Sequence, residues 1–293
     1  MTASFVFIGA FAVLIGVASV IEGQIARGLP SVQLNFLIRA GSLAAAAVAL
    51  VAVHGIAVPS GAYALGGLAI GLITGVGSII YCLALIKMPI SLVVTLSNLY
   101  IVITAVLGVV ILREPVTALK IAGLASTLVG VLLLAYPPSS RYGVHSATST
   151  ANKAPPPRAF LTMGAYLVII GIGAFLEKPA LRGLDATQLN GMMAIAMTAV
   201  AGVALVIEGP SLPMTKRSLA VVGVGGMIGV ASVFYFLGLN GLPVSVAAAS
   251  SNSAVIVTVL ISTIFLRQRL SLLRGGAMVM TLLGVTLLAV SAG

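Results

Sequence analysis

A chain of 293 residues that is 60% apolar and only 7% charged cannot cover a water-facing surface, because a soluble domain carries about 25% charged residues. Its net charge of +10 is scattered singly or in pairs between apolar runs, which excludes a basic nucleic-acid-binding stripe and reads as a topology signal. The single cysteine, Cys82, excludes an intramolecular disulfide and reads as a buried structural thiol. Composition alone defines an all-α integral membrane protein whose first partner is the lipid bilayer.

Ten apolar spans follow in chain order, each long enough to cross a ~30 Å hydrocarbon core. The first, 4–26, places Glu22 after a long uncharged run and has no basic segment before it, so it reads as a helix rather than a cleaved signal peptide. The second, 32–53, carries Arg39 inside the apolar run. The third, 62–86, is rich in glycine and holds Tyr81. Gly66, Gly67, Gly71, Gly75 and Gly77 read there as close-packing positions, because no strand precedes them to form a phosphate cradle. The fourth, 91–112, carries Ser97, Asn98 and Tyr100, and the fifth runs over 118–136. A polar, Pro- and Ser-rich segment, "PPSSRYGVHSATSTANKAPPPR", then separates two groups of five. The sixth span, 160–180, repeats the first by placing Glu177 after another uncharged run. Spans over 187–207, 219–239 with Tyr235, 244–266 with Ser250, Ser251, Asn252 and Ser253, and 272–291 complete the chain.

The two groups resemble each other. "RGLPSVQLN" (27–35) lies over "RGLDATQLN" (182–190), "GVGSIIYCLAL" (75–85) over "GVASVFYFLGL" (229–239), and "MPISLVVTLSN" (88–98) over "LPVSVAAASSN" (242–252), all at an offset of 154 or 155. An odd number of spans per copy makes the second copy enter from the opposite face. The expected architecture is therefore two inverted five-helix repeats, 1–136 and 159–293, joined by the linker 137–158, as secondary transporters are built. Ten Lys and Arg residues fall on the linker side and four on the other. That bias predicts a cytoplasmic linker with both termini outside the cell inner membrane.

The segment "SLVVTLSNLYIVITAVLGVVILREPVTALKIAGLASTLVGVLLL" has a helix, then Arg-Glu-Pro, then a glycine-containing helix ending in Gly-Val-Leu-Leu-Leu. It resembles the EamA family of the drug/metabolite transporter superfamily. The second copy, 245–289, has the same layout with "RQRLS" at the turn, and "LNFLIRAGSLAAA" resembles the family's second helix, which often carries an arginine where Arg39 stands. The resemblance extends over nearly the whole chain and implies a ten-helix carrier of the amino-acid-exporter type. Glu22 and Glu177 resemble the membrane glutamate of the small multidrug resistance proteins, which exchanges protons for a cationic drug. Those proteins set a tryptophan beside it, and this chain has none.

The candidate cavity residues are Glu22, Arg39, Tyr81, Asn98, Glu177, Tyr235 and Asn252. An ionisable side chain inside a membrane helix faces a cavity or a partner, and an amide there needs hydrogen-bond partners. Against these stand a headgroup-level carboxylate for the glutamates, snorkelling for Arg39, and helix–helix contacts for the tyrosines and asparagines. Pairing with Glu22 is the economical expectation for Arg39. His54 and His145 make no metal-ligand spacing and no nucleophile elbow is present, so the chain reads as no enzyme, with neither cofactor nor metal. The expected function is alternating-access transport of a small polar metabolite, an amino acid moved outward, with protons as a coupling partner. The alternative is a proton-coupled exporter of cationic drugs or amphipathic compounds; a channel, a lipid-intermediate flippase and a structural scaffold rank below both.

Overall fold

The computed structural model describes residues 2–25, 29–55, 59, 61–88, 93, 96–135, 156–209, 215–265 and 272–292. These form eleven helices and no strand: α1 (Thr2–Ile25), α2 (Ser31–His54), α3 (Ala62–Lys87), α4 (Tyr100–Val110), α5 (Ala118–Ala135), α6 (Pro157–Ala180), α7 (Ala186–Glu208), α8 (Lys216–Asn240), α9 (Val244–Ser251), α10 (Ser253–Phe265) and α11 (Leu272–Ala292). Seven stretches, among them Ser31–His54 and Lys216–Asn240, are long and apolar enough to cross a membrane, and Tyr100–Val110, Ala118–Leu134 and Gly275–Ser291 are shorter apolar helices. Large apolar side chains such as Val48, Leu161, Val206 and Ile207 stand exposed on the outside of the bundle. An exterior of that kind is stable only against lipid, and the chain is a multi-pass membrane protein.

Local chemistry sets the helix ends. Pro30, Pro156 and Pro243 precede α2, α6 and α9 with extended backbone, and Pro157 occupies the first turn of α6, where its missing N–H costs nothing. Asp185 caps α7 in a reciprocal box with Gln188. Gly209 ends α7 in the left-handed conformation that only glycine adopts freely. The expected ninth span is two helices, α9 and α10, interrupted at Asn252. There the Asn252 N–H donates to Ala249 O at 3.2 Å and the Val255 N–H to Asn252 O at 3.0 Å, a tight i→i+3 pattern. Ser251 Oγ bonds Ala248 O at 2.7 Å. A run of serines and asparagine thus offers the backbone alternatives to the regular ladder. Within the fourth span Tyr100–Val110 is a helix, and residues 91, 92, 94 and 95 of the expected span lie outside the described residues.

Packing partners recur in pairs. Helix α1 packs on α8 and α10, as α6 packs on α3 and α4; α2 packs on α8, as α7 packs on α3; α5 packs on α11. The same holds for single residues. Gly16 faces Val257 while Gly171 faces Ile103; Gly71 faces Met193 while Gly225 faces Ile38; Gly75 faces Met197 while Gly229 faces Ser42. Both members of each pair differ by 154 or 155, the offset of the sequence copies. Small residues allow these helices to approach until backbone meets backbone, the main source of association where solvent and core are equally apolar. Polar bonds add to it: Thr104 Oγ1 donates to Gly171 O at 3.1 Å, Ser126 Oγ to Met280 O at 2.8 Å, and Asn190 Nδ2 to Gly229 O at 3.1 Å.

Two glycines of α3 separate close approach from mere composition. A Cβ on Gly71 would lie 2.6 Å from Met193 O and 2.7 Å from its Cα, whereas one on Gly66 meets nothing within 4 Å. Gly71→Ala is expected to lower the melting temperature in detergent through about 1–3 kcal/mol of overpacking. Gly66→Ala should leave it unchanged or raise it, since alanine favours a helix by up to about 1 kcal/mol. Equal melting of the two variants would show that α3 and α7 do not pack at Gly71.

Candidate functional site

The bundle has two unlike ends. One face carries the end of α1, the start of α2, the end of α3 and the start of α6. There Cys82 Sγ reaches Ser31 O at 3.9 Å, and Met88 packs with Ala159 and Met163. The opposite face carries the start of α1, the end of α2 and the turns from α4 to α5, α6 to α7 and α8 to α9. A cavity of about 380 Å³ lies in the half of the bundle nearest the first face, within the ~300–1,000 Å³ typical of small-molecule sites. Its outer part is lined by Glu22, Ser31 and Cys82, and its inner part by Arg39, Thr74 and Met197.

The cavity holds two opposite charges. Among the described residues the ion pairs within 4 Å are His54–Asp185 and Lys120–Glu114, so the expected pairing of Arg39 with Glu22 does not form. Each points into the same space from a different helix, and Arg39 Nε is buried with no hydrogen-bond partner. Thr198 Oγ1 donates to Arg39 O at 3.1 Å, which fixes that turn of α2 against α7. Two half-buried charges without an ion pair are costly within a membrane span. A ligand carrying both signs would relieve both.

Tyr81 also lines the cavity, its ring 5.3 Å from that of Tyr166 and tilted by 44°. Asn35 Nδ2 donates to Ser78 Oγ at 3.2 Å on the same wall. Sequence reading passed over Tyr166, Asn35 and Ser78. A signal existed for each of them: Asn35 ends one of the repeated motifs, Ser78 matches Ser232 inside another, and Tyr166 corresponds to another aromatic residue, Phe11, in the first copy. Phe11 makes the matching contact with Tyr235, at 5.3 Å and 49°.

The remaining candidates, Asn98, Glu177, Tyr235 and Asn252, do not line this cavity. Asn98 is buried on the fourth span. The other three lie in the closed half. Glu177 is 8% exposed beside the Tyr235 hydroxyl, with its Oε2 unpartnered. Tyr100 and Ser251 lie beside it, and Ser250 Oγ and Asn252 Nδ2 are buried without partners. The same pair of residue types, Glu with Tyr, therefore faces open space in one copy and dense packing in the other. That difference comes from how the helices are tilted together, which the local sequence does not encode.

Polar contacts close the opposite face. His54 Nε2 lies 2.7 Å from Asp185 Oδ2 and 3.1 Å from Thr187 Oγ1. Burial pushes the Asp185 carboxyl up, but hydrogen bonds from the Thr187 hydroxyl and the N–H groups of Gln188 and Thr187, with His54 alongside, hold it below the ordinary aspartate range. Lys178 does not pair with a carboxylate; its Nζ donates to Leu239 O at 2.6 Å and Asn240 O at 2.7 Å, carbonyls at the end of α8. Glu114 and Lys120 form a buried pair against the start of α9. No group of three His, Cys, Asp or Glu side chains that could hold a metal ion is found among the described residues.

Fold and site together define a helical membrane protein that encloses a small charged cavity. In the second half of the chain, residues 158–290 match the EamA-like transporter family. A solved structure described only as "Crystal structure of protein" is similar over 100% of this chain and 98% of its own, with a TM-score of 0.82 and 17% identity. At that identity the likeness speaks for the fold alone. No curated protein matches the chain.

Proposed function

We propose that the protein is an alternating-access secondary transporter that exports an amino acid, built of two inverted five-helix repeats in the inner membrane. The observation that carries the substrate class is the placing of Glu22 and Arg39 in one cavity without a bond between them. An α-amino acid presents a carboxylate to the guanidinium, in the bidentate geometry arginine favours, and an ammonium to the carboxylate. The paired contacts at one offset support the repeats. The Lys and Arg bias supports a cytoplasmic linker with both termini outside, and it sets the cavity in the cytoplasmic half, where an exporter loads.

A second reading, export of cationic or amphipathic compounds, draws on the Tyr81–Tyr166 ring pair, whose faces attract cations. Arg39 in the same cavity opposes it. Counterflow in proteoliposomes separates the two: preloaded neutral amino acids should drive uptake of labelled amino acid, and quaternary amines should neither drive nor inhibit it. Counterflow of the amines alone would replace the first reading by the second.

A further inference from the structure

We propose that Glu114 is the latch that holds shut the face opposite the cavity, tying the turn after α4 to the start of α9. The proposal rests on the alternating-access reading, since a closed face matters to function only if it opens. Arg113, just before it, has a φ of 55°, a left-handed conformation uncommon for a residue with a Cβ and kept only where the surroundings impose it. This bend folds Glu114 back, and its N–H donates to Gly108 O at 3.2 Å. A Cβ on Gly108 would stand 2.8 Å from Val244 Cγ1 and 3.2 Å from the Glu114 carboxyl carbon, so the seat exists because residue 108 is glycine.

The carboxylate is fully engaged. Its Oε1 accepts from the Val244 N–H and its Oε2 from the Ser245 hydroxyl, the first two residues of α9. Lys120 Nζ donates to the same Oε2 at 2.9 Å and to Pro115 O at 3.2 Å. The Glu114 side chain is 9% exposed and that of Lys120 4%. Helix α9 has no side-chain cap of its own, because Pro243 stands at its N-cap. Its free N–H groups and the positive end of its dipole are served instead by a carboxylate from the other half of the chain. Lys178 closes the neighbouring turn by holding the end of α8 to α6.

The sequence makes this device one-sided. At the repeat offset of 154, Glu114 corresponds to Gln268, which lies outside the described residues, and Lys120 to Arg274. Only the first copy has a carboxylate at that position, and hydrogen bonds to a charged acceptor are about twice as strong as those to a neutral one. The two faces are therefore not closed by equal forces. The resting protein favours the arrangement described here, with the latched face closed and the cavity on the other side.

Single-cysteine reporters in a Cys82→Ser background test the latch. Ser78→Cys lies in the cavity, and Ser250→Cys is 1% exposed on α9 beneath the latch. In otherwise intact protein a membrane-impermeant methanethiosulfonate should modify the first and spare the second. Glu114→Gln keeps the shape but cannot accept at both positions. It should raise the labelling rate of Ser250→Cys roughly tenfold, the population change expected from losing one hydrogen bond to a charged group, and slow that of Ser78→Cys. Ser245→Ala should act in the same direction with a smaller amplitude, and it decides the matter if Glu114→Gln does not fold. Unchanged labelling at both reporters, or a rise at both, overturns the latch. Amino-acid counterflow in the intact protein is measured separately. Its absence removes the transport reading, whereas normal counterflow with unmoved reporters removes the latch alone.

Discussion

Arg39→Met is expected to abolish amino-acid binding for practical purposes, raising the half-saturating concentration by at least ~100-fold. The variant keeps the length of the side chain and removes the charged fork. A hydrogen bond to a charged group contributes about 1.5–3 kcal/mol, and two parallel ones to a carboxylate exceed the ~2.8 kcal/mol that a hundredfold change represents. Arg39 Nε is buried without a hydrogen-bond partner, so this donor is open to a ligand. The position in the other copy is Ala194, which offers no substitute. Arg39→Lys should fall between the two, because an ammonium keeps the charge but not the planar geometry. Ligand-induced thermal stabilisation with a titration of neutral amino acids measures the effect, and counterflow confirms it. Unaltered affinity in Arg39→Met would take the carboxylate away from Arg39. Tighter binding of a quaternary amine in the same variant would favour the cation-export reading.

Glu177→Gln is expected to end proton-driven accumulation, leaving equal substrate concentrations on both sides, while exchange between two loaded sides survives. A group that couples protons to substrate must exist with and without its proton during the cycle, and glutamine keeps the shape and hydrogen bonding while removing that titration. Glu177 is buried against Tyr235 and has no cation beside it, since Lys178 turns to backbone carbonyls. Glu22, its counterpart, shares a cavity with Arg39. Equal positions thus have unequal surroundings. We expect Glu177 to carry the proton and Glu22 to hold the substrate. Normal pH-dependent transport in Glu177→Gln with its loss in Glu22→Gln would reverse those roles. Normal transport in both would leave the glutamates as structural residues.

The sequence by itself determined the class. Long apolar runs with 7% charge require a membrane. The ends of those runs lie within three residues of most observed helix ends, because the change from apolar to polar side chains is a local property of the chain. The internal offset of 154 or 155 also relates each observed contact to its copy, as Gly16 with Val257 and Gly171 with Ile103 illustrate. The break of the ninth span at Asn252 was less visible, because its serines and asparagine were read only as candidate polar lining. The tertiary structure alone decided what the polar residues do. Glu22 and Glu177 occupy matching positions, yet one faces a cavity and the other is packed away with Tyr235. Arg39 and Glu22 were expected to pair and instead stand apart. Glu114, noticed only as part of Arg-Glu-Pro, reaches 130 positions along the chain to cap α9. Local sequence fixes helices and the faces they present. Which polar atoms become neighbours depends on helix tilt and depth, set by many weak contacts summed over the bundle.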